Sequence, residues 1–333
     1  MPCCRRPVAG LESDHFRLRD HCVSRFLPLL QRFLLLAILL FAARFCWVQR
    51  DTLAQAAQLT LWQAAFVFTG YFACYCLNAL MACQVQWSRG TRPRLWEMLV
   101  INSYASLLGY ATVMRAGYYG GKVWFYQQRY GLAASVSLGL QGWVSLLVLT
   151  ANAWFGLGYG LWLQWSGQLR LPWVHWALVF GTLALVVALV ALLFGLAAQS
   201  WLPERVQRWL ANIRAVVAST SWREVLTLQA QAMLTIPLQA LSLGVLCQVF
   251  GLPVPLPYLL LMAVVSNLSL VIALTPSNLG VRELVLWQLL RELGLPDVTL
   301  VGVLMVDRML QFVLLSGLSI AGYQLLHRGT KPV

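Results

Sequence analysis

Hydrophobic and polar positions alternate along this chain on a coarse scale: apolar runs of 20 or more residues separated by short polar, basic or glycine-rich breaks. About 20 apolar residues are needed to cross ~30 Å of hydrocarbon, and runs of that size lie at 28–48, 59–83, 133–155, 173–199, 224–249 and 298–326. These predict six membrane crossings. Two further stretches, 95–132 and 257–296, each pair an apolar leg with a shorter leg that carries charge (118–130 and 281–293). Such pairs fit re-entrant hairpins better than extra crossings. The fold class predicted is an all-α polytopic membrane protein with six crossings and two re-entrant hairpins.

The two hairpins resemble distorted copies of one another. Asn102 to Leu132 contains GYATVMRAGYYGGK and closes on QQRYGL; Asn267 to Leu295 contains ALTPSNLGVRE and closes on LLRELGL. In each, a basic residue stands two positions past a glycine, Lys122 after Gly120 and Arg282 after Gly280. Lys and Arg in short loops mark the cytoplasmic side. By that rule the tail at 1–27, the loops at 84–94 and 200–223 and the tail at 327–333 are cytoplasmic, whereas 49–58, 156–172 and 250–256 face outward. The parity closes with hairpin 95–132 entering from inside and hairpin 257–296 from outside. That predicts an inverted-topology repeat of halves 28–160 and 173–326, with the pathway where the hairpins meet. Arg44 and Arg50 put some positive charge at the outer end of the first helix.

Composition agrees: the 333 residues are 60% hydrophobic and 11% charged, and mean hydropathy is +0.70. The formal charge of +13 comes from 22 Arg, 2 Lys and 11 acids. Most basic residues sit in loops, where they answer to headgroups and topology rather than to nucleic acid. No cleavable signal precedes the first run, so that helix is expected to stay attached. Eight scattered cysteines include no paired CxxC units, and no disulfide framework, metal or cofactor is expected.

The candidate chemistry lies in the hairpins and the last crossing. Pro276, Asn278 and Gly280 form a turn before a helix that begins at Val281. A helix N-terminus at membrane depth offers free N–H groups and partial positive charge, to which Arg282 adds a full one, so this spot suits a phosphate or other anion. The competing reading pairs Arg282 with Glu283 or another acid. Arg115 and Lys122 either join the anion site or are snorkelling cations at the cytoplasmic face. Asp307 and Arg308 lie some ten residues into the last crossing, where an ionisable residue is a functional hypothesis by default. Asp307 is expected to pair with a hairpin arginine. Glu97, Arg129 and Arg291 read as interface residues. Trp154, Trp162, Trp165, Trp173 and Trp176 read as an aromatic belt rather than a sugar platform. There is no GxSxG, HExxH or Walker sequence, and no enzymatic activity is expected.

The run NLSLVIALTPSNLGVRELVLWQLLRELGLP together with VDRML resembles the lysylphosphatidylglycerol synthase transmembrane-region family, and NSYASLLGYATVMRAGYYGGKVWFYQQRYGL is similar to that family's first block. The chain departs from the pattern at Thr112 or Val113, where a proline is usual, at Lys122, which replaces an acid-containing stretch, and at Asp307 before the final arginine. The resemblance implies lipid handling. In multiple-peptide-resistance proteins the module is joined to an aminoacyltransferase and is similar to a flippase for aminoacylated phosphatidylglycerol; other relatives serve hopanoid, archaeal glycolipid or polyprenyl-linked pathways. A chain of this length is not expected to make lysyl-lipid alone. The function expected is translocation of an anionic phospholipid or polyprenyl-phosphate-linked lipid, with Arg282, Glu283, Asn278, Gly280, Pro276, Arg115, Lys122, Asp307 and Arg308 around the headgroup. The alternative is a membrane enzyme or accessory subunit in lipid-linked glycan or aminoacyl-lipid metabolism. The expected partners are the lipid, the membrane and a lipid-modifying or glycosyltransferase enzyme, in the cell inner (cytoplasmic) membrane with both termini cytoplasmic.

Overall fold

Long apolar runs that cannot be hydrated satisfy their backbone polar groups internally by becoming helical. In a computed structural model, residues 47, 59–87, 92–110, 112, 116–167, 171–196, 203–269, 281–292 and 297–328 are described, and among them there are helices and turns but no strand. The chain divides into two units, Met1–Arg50 and Asp51–Val333. Every helix given below lies in the second. They are α1 (Leu61–Trp87), α2 (Leu95–Tyr110), α3 (Ala116–Tyr130), α4 (Ala134–Trp165), α5 (Trp173–Leu196), α6 (Glu204–Ala218), α7 (Trp222–Val249), α8 (Leu256–Leu268), α9 (Val281–Glu292) and α10 (Asp297–Arg328).

Five of these, α1, α4, α5, α7 and α10, are long and apolar enough to cross a membrane. The expected span at 28–48 lies outside the described residues except for Trp47. The four expected hairpin legs appear as α2, α3, α8 and α9. One expectation needs correction: residues 204–218, read as part of a cytoplasmic loop, form the amphipathic helix α6. Its Leu210 and Val216 are buried, and Asn212 donates to Ser135 Oγ on α4 at 2.9 Å.

Local chemistry sets the boundaries. Gly131 and Gly251, with φ of 64° and 69°, adopt the left-handed conformation that stops α3 and α7. The N–H of Leu132 then closes on Tyr126 O at 3.3 Å and that of Leu252 on Cys247 O at 2.8 Å. Ser221 caps α7 by accepting from the Glu224 N–H at 3.2 Å, an arrangement worth about 1 kcal/mol.

The helix contacts repeat in a matching pattern along the chain. Helices α1 and α7 pack on each other at the centre; α2 packs on α10 as α8 packs on α4; α1 packs on α2 as α7 packs on α8; and α3 packs on α4 as α9 packs on α10. Val67, Ile236, Leu243, Met262, Leu286 and Leu304 fill the core where these elements meet. Apolar side chains on the outside, such as Phe180, Val187 and Ile320, would be stranded in water and suit a hydrocarbon surround. Glycines allow the closest approach within the α2–α3 pair. A Cβ on Gly117 would meet Leu108 O at 2.5 Å, and one on Gly109 would meet Tyr118 Cβ at 3.1 Å.

Candidate functional site

Neither hairpin cation is at a surface. Lys122 is 3% exposed and Arg282 is 5% exposed, and both line one cavity of about 530 Å³. Its wall is built by α1 with Tyr71 and Asn78, α2 with Asn102, α4 with Gln141 and Ser145, α7 with Thr235 and Gln239, α8 with Asn267, and α10 with Asp307 and Arg308. Pro237, inside α7, lies between Thr235 and Gln239 of this wall and removes one helical hydrogen bond there.

Helices α9 and α10 are joined by two ion pairs. Arg282 Nη2 donates to Asp307 Oδ2 at 2.9 Å, and Arg308 Nε donates to Glu283 Oε1 at 3.2 Å. Asp307 is fully buried. Tyr71 on α1 donates to its Oδ1, and Gln311 donates to both carboxylate oxygens at 3.2 and 3.1 Å. Buried charges persist only when paired and further hydrogen-bonded, and Asp307 meets that condition. Two donors are left over: Arg282 Nε and Arg308 Nη2 are shut away from solvent and have no hydrogen-bond partner among the described residues.

Helices α3 and α4 are joined through Lys122. Lys122 Nζ on α3 donates to Gln141 Oε1 on α4 at 2.9 Å and to Tyr118 Oη at 2.5 Å. Gln141 in turn donates to Tyr126 Oη at 2.8 Å, which fixes the amide and directs its oxygen to the lysine. A cation on α3 thus reaches α4 as a cation on α9 reaches α10. Asn267 on α8 reaches Asn152 Oδ1 on α4 at 2.9 Å.

Of the residues proposed from the sequence, Lys122, Arg282, Asp307 and Arg308 converge on the cavity, and Glu283 supports it through Arg308. The burial of Lys122 decides against its reading as a snorkelling surface cation. Asp307 takes the expected pairing with a hairpin arginine. Arg115, Pro276, Asn278 and Gly280 lie outside the described residues. Sequence reasoning did not select Tyr71, Asn102, Gln141 or Gln311; neutral polar residues within an apolar helix were the available signal.

A second cluster closes the far end of the α2–α3 pair. Glu97 accepts from Arg129 Nη2 at 3.1 Å, from Tyr130 Oη at 3.0 Å and from the Arg94 N–H at 3.3 Å. Partial burial opposes charge on Glu97, but these donors hold its carboxyl below the usual range. The contact joins residues 32 and 33 apart, so α2 and α3 are antiparallel. Trp162 and Trp165 are exposed at the end of α4 and Trp173 at the start of α5, whereas the exposed Trp154 lies further inside α4. Among the described residues, no group of three His, Cys, Asp or Glu converges to hold a metal ion.

Fold and site together define a multi-pass helical membrane protein with a cavity lined by buried charged side chains. The sequence matches the family model of the lysylphosphatidylglycerol synthase transmembrane region over residues 27–319, and the chain belongs to that family. No curated protein and no solved structure gives a match.

Proposed function

We propose that this protein is a lipid translocator that carries the phosphate-bearing headgroup of an anionic phospholipid or polyprenyl-phosphate-linked lipid through the cavity between its halves. The observation that carries this reading is the meeting of the buried Lys122 and Arg282 at one cavity, with Arg282 Nε and Arg308 Nη2 lacking partners among the described residues. A phosphate supplies the acceptors those donors lack, and charge-assisted hydrogen bonds from arginine forks are the strong kind. The apolar outer surface leaves the acyl or prenyl chains in lipid while the headgroup is taken inside.

The reciprocal packing of α1–α4 against α7–α10 supports an inverted repeat. In this reading the pairs α2–α3 and α8–α9 are re-entrant hairpins entering from opposite sides, and the pathway opens to each side in turn as the halves rock. The Lys and Arg of the short loops support an orientation with both termini cytoplasmic, and in this reading the protein sits in the cell inner membrane. An enzymatic role has less support, because both carboxylates of the site are engaged by arginines rather than placed as a free base. An enzyme that makes or uses the lipid is the expected partner.

The test is headgroup-reporter translocation in proteoliposomes, using fluorescent phosphatidylglycerol and a fluorescent polyprenyl phosphate. The proposal requires protein-dependent movement of at least one of them. Rates equal to those of empty liposomes for both would overturn it.

A further inference from the structure

The cavity wall also bears on which headgroup is carried, an inference that rests on the translocator reading above. We propose that the headgroup is an uncharged, hydroxyl-bearing group on a single phosphodiester, and that Asn102 is the residue that selects it.

Asn102 lies on α2, is 5% exposed, and lines the cavity. Its Oδ1 has no hydrogen-bond partner among the described residues. A buried acceptor left unsatisfied is costly, and this one is shut off from solvent as the cavity stands, so the wall must rearrange on binding to bring a ligand O–H or N–H donor to this oxygen. The charge balance of the site chooses between the two. Lys122, Arg282 and Arg308 stand against Asp307 and Glu283, which leaves one net positive charge among the described residues. One phosphodiester neutralises it.

A headgroup that also carries ammonium groups would bring further positive charge into a low-dielectric site whose two carboxylates already hold arginines. A hydroxylated headgroup meets no such penalty. Its O–H can donate to Asn102 Oδ1, while Asn78, Ser106 and Ser145 offer further neutral partners in the same wall. The site therefore fits a glycerol- or sugar-bearing phosphodiester and disfavours an aminoacylated one.

Three lipids of one acyl composition separate these cases in the proteoliposome assay. Phosphatidylglycerol has one negative charge and two hydroxyls, phosphatidylmethanol has the charge without the hydroxyls, and lysyl-phosphatidylglycerol adds two ammonium groups. Wild type is expected to move phosphatidylglycerol about tenfold faster than the other two, the scale of one buried hydrogen bond. In Asn102→Leu the ratio of phosphatidylglycerol to phosphatidylmethanol rates should fall to about one. Asn102→Asp keeps the shape, cancels the surplus charge and should accelerate lysyl-phosphatidylglycerol. Monodisperse elution in detergent establishes that each variant is folded, and the isosteric aspartate carries the test if the leucine variant is not. Equal wild-type rates for phosphatidylglycerol and phosphatidylmethanol, or lysyl-phosphatidylglycerol moving as fast as phosphatidylglycerol, would overturn the inference and leave the translocator reading standing. Movement of none of the three, nor of the polyprenyl phosphate, would remove that reading and this inference with it.

Discussion

Arg282 on α9 and Asp307 on α10 lie 25 residues apart in sequence and 2.9 Å apart in space, both inside the protein. Removing one member of such a pair strands a buried charge at a cost of about 3–5 kcal/mol, whereas replacing both by apolar groups is often neutral. Arg282→Met should therefore destabilise the protein strongly, and Arg282→Met with Asp307→Leu should restore most of the loss. Thermal unfolding in detergent checks this. Equal destabilisation by the single and the double replacement would show that the pair is not an energetic unit.

The clasp at Glu97 gives a pH prediction. Because the folded carboxyl is held below its ordinary value of 4.5, the clasp stabilises the fold above that pH, and the contribution is lost as pH falls through the depressed folded value. Glu97→Gln should be less stable than wild type near neutrality, and the two should converge once the pH has fallen below the depressed folded value. A stability difference that persists at low pH would show that the charge of Glu97 is not what holds the clasp.

Close approach in the first helix pair predicts a packing effect. A Cβ on Gly117 would stand 2.5 Å from Leu108 O, a backbone atom that cannot rotate away. Gly117→Ala should cost roughly 1–3 kcal/mol, the usual range for overpacking. Gly120→Ala, with nothing within 4 Å of the added atom, is the control and should be near neutral. Hydrogen exchange of α2 and α3 amides would locate the loosening.

Opposite entry of the two hairpins is testable by labelling. Gln128 near the end of α3 and Pro253 before α8 are both exposed. In a background without the native cysteines, Gln128→Cys should react with an impermeant maleimide only from the cytoplasmic side and Pro253→Cys only from the outside. Labelling of both from one side would eliminate the inverted repeat.

Much of this fold was legible because lipid imposes a simple rule. A helix must be long and apolar to cross, and Leu61–Trp87, Trp222–Val249 and the legs around Lys122 and Arg282 begin and end within a few residues of the hydrophobic boundaries. Helix α6 was not legible in that way. It carries Arg205, Arg208 and Arg214, and average polarity hides an apolar face that only the spacing of Leu210, Ile213 and Val216 reveals. Gly139 on α4 admits that face, since a Cβ there would meet the backbone of Ile213 at 3.1 Å. At the site, charge marked Arg282, Glu283, Asp307 and Arg308 because charge is rare in an apolar run. Lys122 stayed ambiguous because its glycine- and tyrosine-rich surroundings suit either an interface or an interior. Asn102 and Gln141 are neutral and common, so only three-dimensional proximity identifies them.

The central claim is that the cations of both halves act on one headgroup, and initial translocation rates of fluorescent phosphatidylglycerol test it with Lys122→Met, Arg282→Ala and the double variant. Each single replacement removes a charge-assisted contact and should slow transport about tenfold or more. The double should be no slower than the worse single. Wild-type rates in either folded single variant, or losses that simply multiply in the double, would contradict a shared site.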